Sequence, residues 1–151
     1  MSEAAELTVD ETEEFVTFNA GDQMFCIKIT QIREIRRWAP VTALPHTPPD
    51  VLGVMNLRGA VIPIIDLSAR FGFGPTEPRE RNVVIIAIHG DSSVGMLVQS
   101  VSEILSIAQG QVQDTSEVRT SASSNYITGI ISSNDTMIRV IDLDAVLGKP
   151  F

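Results

Sequence analysis

The 151-residue chain has a single cysteine, one tryptophan, one tyrosine and two histidines. One cysteine, Cys26, cannot close an internal disulfide, which agrees with a reducing compartment. His46 and His89 occupy non-equivalent loop-like positions, and neither lies near Cys26 or a second histidine at ligand spacing, so no metal or other cofactor is expected. No GxxxxGK phosphate loop is present, and Gly72-Phe73-Gly74-Pro75 reads as a turn with no lysine behind it. Long apolar runs are also missing: Val83–Ile88 is far too short to span a bilayer, and no basic start precedes an apolar core. These absences point to a cytoplasmic protein without direct membrane insertion.

Positive charge is scarce as well. Lys and Arg total 11 against 19 Asp and Glu, a net charge of -8, and six of the acids fall in the first 14 residues, which hold no base. The remaining body carries 11 bases against 13 acids, only -2. Such a surface has no global reason to bind nucleic acid, so that use would need a local patch. Residues 1–13 read as a solvated acidic tail in front of a domain spanning 14–151.

The most informative positive feature is an internal duplication. Gly53–Gly72 echoes Gly129–Gly148 at an offset of 76, with Gly53/Gly129, Ile62/Ile138, Ile65/Ile141, Asp66/Asp142, Leu67/Leu143, Ala69/Ala145 and Gly72/Gly148 identical. Average composition would give about one or two matches. Upstream, Phe15–Ile35 aligns with Val84–Ile104 at an offset of 69, pairing Gly21/Gly90, Asp22/Asp91, Glu34/Glu103 and Ile35/Ile104. Two units of that size bury more by sharing a core than by standing apart, which gives approximate subdomains 14–80 and 81–151. The duplication also supplies a control: a feature kept in both copies is explained by the fold, and a feature in one copy is a candidate for function.

Phe25, Ile27 and Ile29 alternate with Cys26, Lys28 and Thr30, the period of a half-buried strand, after a hairpin turn at Asn19–Asp22. Copy two repeats this with Val83–Ile88, a turn at His89–Ser92, and Val94, Met96 and Val98. Gln31–Trp38 and Ser100–Ile107 each suit a turn of helix leading into a strand. After a loop punctuated by Pro40, Pro45, Pro48 and Pro49, each copy has long β segments, around Val54–Asp66 and Ile130–Asp142. Each then ends in Asp-Leu, a few helix-compatible residues and Gly, so Asp66 and Asp142 are expected N-caps and Gly72 and Gly148 helix stops. Many short strands with little helix predict a pair of small β-barrels.

Asp66 and Asp142 could also be paired carboxylates of a hydrolase, but capping explains their presence in both copies. Cys26 alternates away from the inferred core face and has no nearby histidine, which favours an inert strand thiol over a nucleophile. The rival readings are therefore a small enzyme using Asp66 or Cys26, and a nucleic-acid-binding barrel using the Arg33, Arg36, Arg37 and Trp38 cluster. The cluster belongs to copy one only, since copy two has Ser102, Leu105, Ser106 and Ile107. Arg58 is likewise copy-specific: Asn56-Leu57-Arg58-Gly59 stands where copy two has Ser132-Ser133-Asn134-Asp135. Exposed Arg and Trp of this kind suit a protein interface.

The residues Asn56–Leu67 (NLRGAVIPIIDL), Phe25–Ile35 (FCIKITQIREI) and Tyr126–Ile130 (YITGI) resemble the CheW family of bacterial chemotaxis coupling proteins, over about Glu14–Gly148. The resemblance implies an all-β fold of two five-stranded SH3-like barrels around a common apolar core, with short helices. It leaves open whether the barrels exchange terminal strands. It further implies no catalysis and two partners, the regulatory domain of a CheA-like histidine kinase and the cytoplasmic tip of chemoreceptors, joined in arrays. Carried over by position, Gly53 and Arg58 fall in the receptor-contacting region with Val98 and Val101 as apolar walls, and Ile32 and Glu34 fall in the kinase contact. The acidic tail and the dense arginine run depart from typical relatives.

Overall fold

The computed structural model describes residues 12–114 and 126–148. The acidic tail lies almost wholly outside them, although Thr12 and Glu13 already belong to the first strand, where they pair with Ala108 and Ile107. The first hairpin joins β1 (Thr12–Ala20) to β2 (Gln23–Lys28). Its turn residues Gly21 and Asp22 both have left-handed backbone, φ 57° and 62°, the geometry that matches the twist of the flanking strands. A 3-10 turn at Ile29–Gln31 leads into β3 (Ile32–Arg37). After the proline loop come β4 (Val51–Leu57), β5 (Ala60–Asp66) and the one-turn helix α1 (Leu67–Arg70). Copy two follows as β6 (Val83–His89), β7 (Ser92–Val98), β8 (Ser100–Ala108), β9 (Val112–Asp114), β10 (Ile127–Ser133), β11 (Thr136–Ile141) and α2 (Leu143–Leu147).

Two local expectations are corrected. Ser100–Ala108 is strand throughout with no helical turn at its start, because all nine residues lie alongside β1. Gly72 does adopt the left-handed conformation, φ 88°, just past α1, whereas Gly148 is an ordinary right-handed helix end.

The strands form two barrel-like sheets, one of six strands in the order β8-β1-β2-β11-β10-β9 and one of five in the order β3-β6-β7-β5-β4. Neither sheet follows the halves 14–80 and 81–151. In each repeat the first hairpin completes the sheet built on the other repeat's second hairpin, through the parallel pairs β2 with β11 and β7 with β5. The edge pairs are exchanged the same way, β3 against β6 and β8 against β1. The physical reason is two-sided burial: the hairpin strands are apolar on both faces and need cover on each.

Three cores result. Phe18, Phe25, Ile27, Ile65, Ile85, Met96, Val98 and Leu147 pack in the central core between the sheets. Ile62, Ile64, Val84, Ile86 and Leu97 fill the five-stranded unit, and Phe15, Cys26, Ile131, Ile138 and Val140 fill the six-stranded one. Cys26 therefore does not point away from a core: it is fully buried on the opposite face of β2 from Phe25 and Ile27. The scarce aromatics are concentrated centrally, with Phe25 4.9 Å from Phe71, and Phe71 5.4 Å from Tyr126. Each fully buried Phe, Leu or Ile contributes about 1.5–3 kcal/mol, so the central layer dominates stability.

Asp66 and Asp142 cap α1 and α2 by accepting from the backbone N–H of Ala69 and Ala145. Asp66 does more. Only 2% exposed, it also accepts from the N–H and hydroxyl of Thr76 and so clamps the inter-repeat linker. Arg70 breaks the symmetry of the two helices. It donates Nε to Asp50 at 2.7 Å and Nη1 at 2.8 Å to the carbonyl of Val146, its own equivalent in copy two. We expect Asp142→Ala to cost about 1 kcal/mol and Asp66→Ala about 2–3 kcal/mol, since the latter loses the linker bonds as well as the cap. Urea unfolding of the two variants checks this, and equal losses would contradict the linker role.

Candidate functional site

The β4–β5 hairpin turns through Arg58 and Gly59, φ 51° and 87°. Asn134 and Asp135 make the equivalent turn in copy two at φ 50° and 65°. Asn tolerates this left-handed geometry, whereas an arginine there costs roughly 1 kcal/mol or more. The turn does not call for arginine, so its presence is explained by the side chain.

That side chain reaches β3. Arg58 Nη2 lies 2.7 Å from Glu34 Oε2, and Arg36 Nη1 lies 3.3 Å from Glu34 Oε1. One carboxylate is thus bridged by two copy-specific arginines. Hydrogen bonding from Arg58, then from Arg36, holds the Glu34 carboxyl below its ordinary pKa, and Glu34 in turn raises that of Arg58. Arg58 remains two-thirds exposed, and its neighbour Ile35 on β3 is 41% exposed. Beyond Arg58 an open groove runs between β5 and the β6–β7 hairpin, lined by Arg33, Val61, Pro63, His89 and Ser93. It exists because β5 pairs with β7 only from Ile64 onward, leaving the earlier residues to diverge.

A second open cleft lies where the two sheets meet. Val83 and Val101 border it, with Asn19, Ser100, Arg37 and Arg81 around them. Val101 is half-buried against the central core, as is Ile32.

The site residues expected from sequence separate accordingly. Glu34 and Arg58 meet in one ion pair, although they were expected on different partner surfaces. Ile32 and Val101 are partly accessible. Gly53 and Val98 present no accessible side chain. Val98 is fully buried in the central core. Gly53 has φ 144°, and a Cβ there would stand 2.1 Å from the carbonyl oxygen of Thr42, so the position serves close packing of the proline loop, held by the Thr42–Val54 bridge. Gly129 is crowded less severely, with Val112 Cγ1 at 2.8 Å and the carbonyl oxygen of Gln113 at 3.0 Å from where a Cβ would stand. Ile35 and Val61, 41% and 66% exposed, were missed; copy-by-copy alternation could not separate them from core positions.

Nothing here is arranged for catalysis with Cys26 or Asp66. Burial pushes the Cys26 thiol up to about 12, and the Asp66 carboxylate is engaged in capping and linker bonds. Among the described residues no cluster of three His, Cys, Asp or Glu side chains is placed to hold a metal ion, and no helix is long and apolar enough to cross a membrane.

Comparison with known proteins agrees with this picture. Residues 14–151 match the CheW-like domain family. The chain is 44% identical over 136 residues to the probable chemotaxis protein CheW of Rhizobium etli, covering 90% of this chain and 88% of that one. It is 41% identical over 146 residues to the chemotaxis protein CheW of Rhizobium meliloti, covering 97% and 94%. The fold superposes on the crystal structure of the scaffolding protein TtCheW from Thermoanaerobacter tengcongensis with a TM-score of 0.80 at 29% identity, over 87% of this chain and 84% of that one.

Two outcomes follow from the geometry. Cys26 will not react with a thiol reagent in the folded protein at pH 8 and will react once denaturant unfolds it; rapid labelling of the native state would contradict the burial. The Glu34 carboxyl, followed by NMR, will titrate below the ordinary carboxylate range and move back up in Arg58→Ala. Because its folded pKa is lowered, the contribution of the pair is present above the unfolded carboxylate pKa and is lost as pH falls through the folded value.

Proposed function

The chain belongs to the CheW-like family and is a noncatalytic chemotaxis adaptor, and from that premise we propose that it couples chemoreceptor signalling tips to the regulatory domain of a CheA-like histidine kinase. On this reading it works in the cytoplasm, within arrays that reach the membrane through its partners. The observation that carries the proposal is the presence of two separate open surfaces on one continuous core, the Glu34–Arg58 face and the inter-sheet cleft. An adaptor needs two such surfaces, because a ternary complex requires both partners to be held at once.

The Glu34–Arg58 face suits the kinase regulatory domain. Among the described residues its strand β3 pairs only with β6, and an open edge carrying exposed Ile35 is an aggregation hazard unless covered. Ile32 and Glu34 lie on this strand, and the ion pair brings Arg58 to the same face. The inter-sheet cleft, with Val101 on its floor, suits an amphipathic helix of the receptor tip. This assigns Arg58 to the kinase side and leaves Val101 on the receptor side.

Arg58→Glu places two carboxylates face to face at the β3 edge. We expect it to weaken binding of the kinase regulatory domain at least tenfold, about 1.4 kcal/mol, while receptor-tip binding survives. Thermal unfolding should change little, because solvent screens an ion pair this exposed and leaves it little weight in stability. Calorimetric titration of each partner separately, then of both together, checks the proposal. Undiminished kinase affinity would remove Arg58 from that surface, and loss of receptor binding instead would give the face to the receptor.

A further inference from the structure

We propose that Arg37 and Arg81 form a carboxylate-reading pair on the rim of the inter-sheet cleft, and that its occupant is an amphipathic helical segment carrying acidic side chains beside its apolar ones. This rests on the receptor reading of that cleft and deepens it by naming what the partner must present.

The two arginines are brought together by backbone. Arg37, the last residue of β3, pairs with Val83 at the start of β6. Arg81 precedes that strand by two positions, which makes it a diagonal neighbour of Arg37. The register is locked by Asn82, only 3% exposed, whose carbonyl accepts from the Trp38 N–H at 3.2 Å while its side-chain amide donates to the carbonyl of Glu77 at 2.9 Å. Both cations therefore line one cleft at the end of the β3–β6 ladder, where like charges favour an anion between them.

The fold does not supply one. Among the described residues neither the Arg37 nor the Arg81 side chain makes a hydrogen bond or ion pair, as is also true of Arg33, whereas the side chains of Arg36, Arg58, Arg70 and Arg79 do. Glu80 lines the same cleft without bridging either arginine, and Asp22, in the adjoining cleft, is engaged by the Gln99 amide at 2.9 Å. The rest of the lining extends the donor character with the amide of Asn19 and the hydroxyls of Ser100 and Ser102, beside apolar Val83 and Val101.

The duplication marks the pair as additional to the fold. Copy two has Ser106 where copy one has Arg37, and Arg81 lies in the linker, which occurs once. Two arginine side chains without an ionic partner thus border the same cleft as apolar Val83 and Val101. A planar guanidinium takes a carboxylate in two parallel hydrogen bonds, giving register as well as attraction, while the valines take the helix's apolar face. A nucleic-acid strand would meet the same arginines but would find no wider basic surface to follow, since the body carries 11 bases against 13 acids.

The experiment titrates the full chain with a chemoreceptor signalling tip of the same organism, using wild type, Arg37→Gln/Arg81→Gln, and Arg33→Gln as a control in the other groove. We expect the double variant to lose roughly tenfold in affinity at low salt and most of its salt dependence, with Arg33→Gln unchanged. A tip whose contacting carboxylates are replaced by lysine should regain binding to Arg37→Glu/Arg81→Glu. All three positions are exposed, and unfolding curves verify that each variant is folded. Equal affinity of wild type and double variant would overturn the carboxylate pair and leave the receptor reading standing. A wild type that binds the kinase regulatory domain but no tip would overturn the receptor reading and this occupant together. Salt-sensitive retention on single-stranded DNA, lost in the double variant, would assign the cleft to phosphate and overturn the proposal.

Discussion

Burial of β2, β6 and β7 on both faces is the constraint on which the molecule depends. A strand with Phe25 and Ile27 on one side and Cys26 on the other needs two layers of cover, as does β6 with Ile85 and Ala87 opposed to Val84 and Ile86. Neither repeat can supply both layers from its own residues. Exchange of the first hairpins solves this, because each hairpin then sits between the core of its sheet and the common core shared with the other sheet. The two repeats become one cooperative unit, since separating them would expose the central layer from Phe18 to Leu147. The helices tighten the arrangement at its ends, where Arg70 joins α1 to the last carbonyls of α2.

A rigid centre of this kind is what a scaffold requires. Docking energy is wasted if two binding surfaces shift relative to each other, and the two surfaces proposed above rest on strands whose inner faces belong to the same packed layer. Function enters where the repeats differ. Symmetry would make the two edge strands β3 and β8 alike, and both carry Glu-Ile at equivalent positions. Only β3 is furnished with Arg33, Arg36 and Arg37 and faced by Arg58. The duplicated fold provides two similar edges and the substitutions make one of them chemically distinct. The linker adds the second asymmetry, because Asp66 and Asn82 fix its course past the inter-sheet cleft.

Much of the architecture was legible before any coordinates. Gly21-Asp22 announced a hairpin, Asp66 and Asp142 announced helix starts, and the repeat announced a shared core. The copy control also contained a warning that was not applied to Gly53. Its identity with Gly129 marks a structural position, and in both repeats the missing side chain admits a neighbouring backbone. Val98 failed for a different reason. Alternation along β7 says which residues share a face, but only the packed layer says that the face is covered. Cys26 was misplaced by the same ambiguity, since a half-buried strand and a fully buried one can share a period of two.

The sequence by itself determined the element types, the duplication, the family and the copy-specific arginines, because turn chemistry, periodicity and motif are local properties written in neighbouring residues. Tertiary structure alone decided which hairpin completes which sheet, that Glu34 and Arg58 form one ion pair, and that Arg37 and Arg81 stand together unpaired. The ion pair spans 24 residues of chain and the shared cleft brings residues 44 apart to one rim, placements that depend on strand register and exchange, which no local pattern encodes.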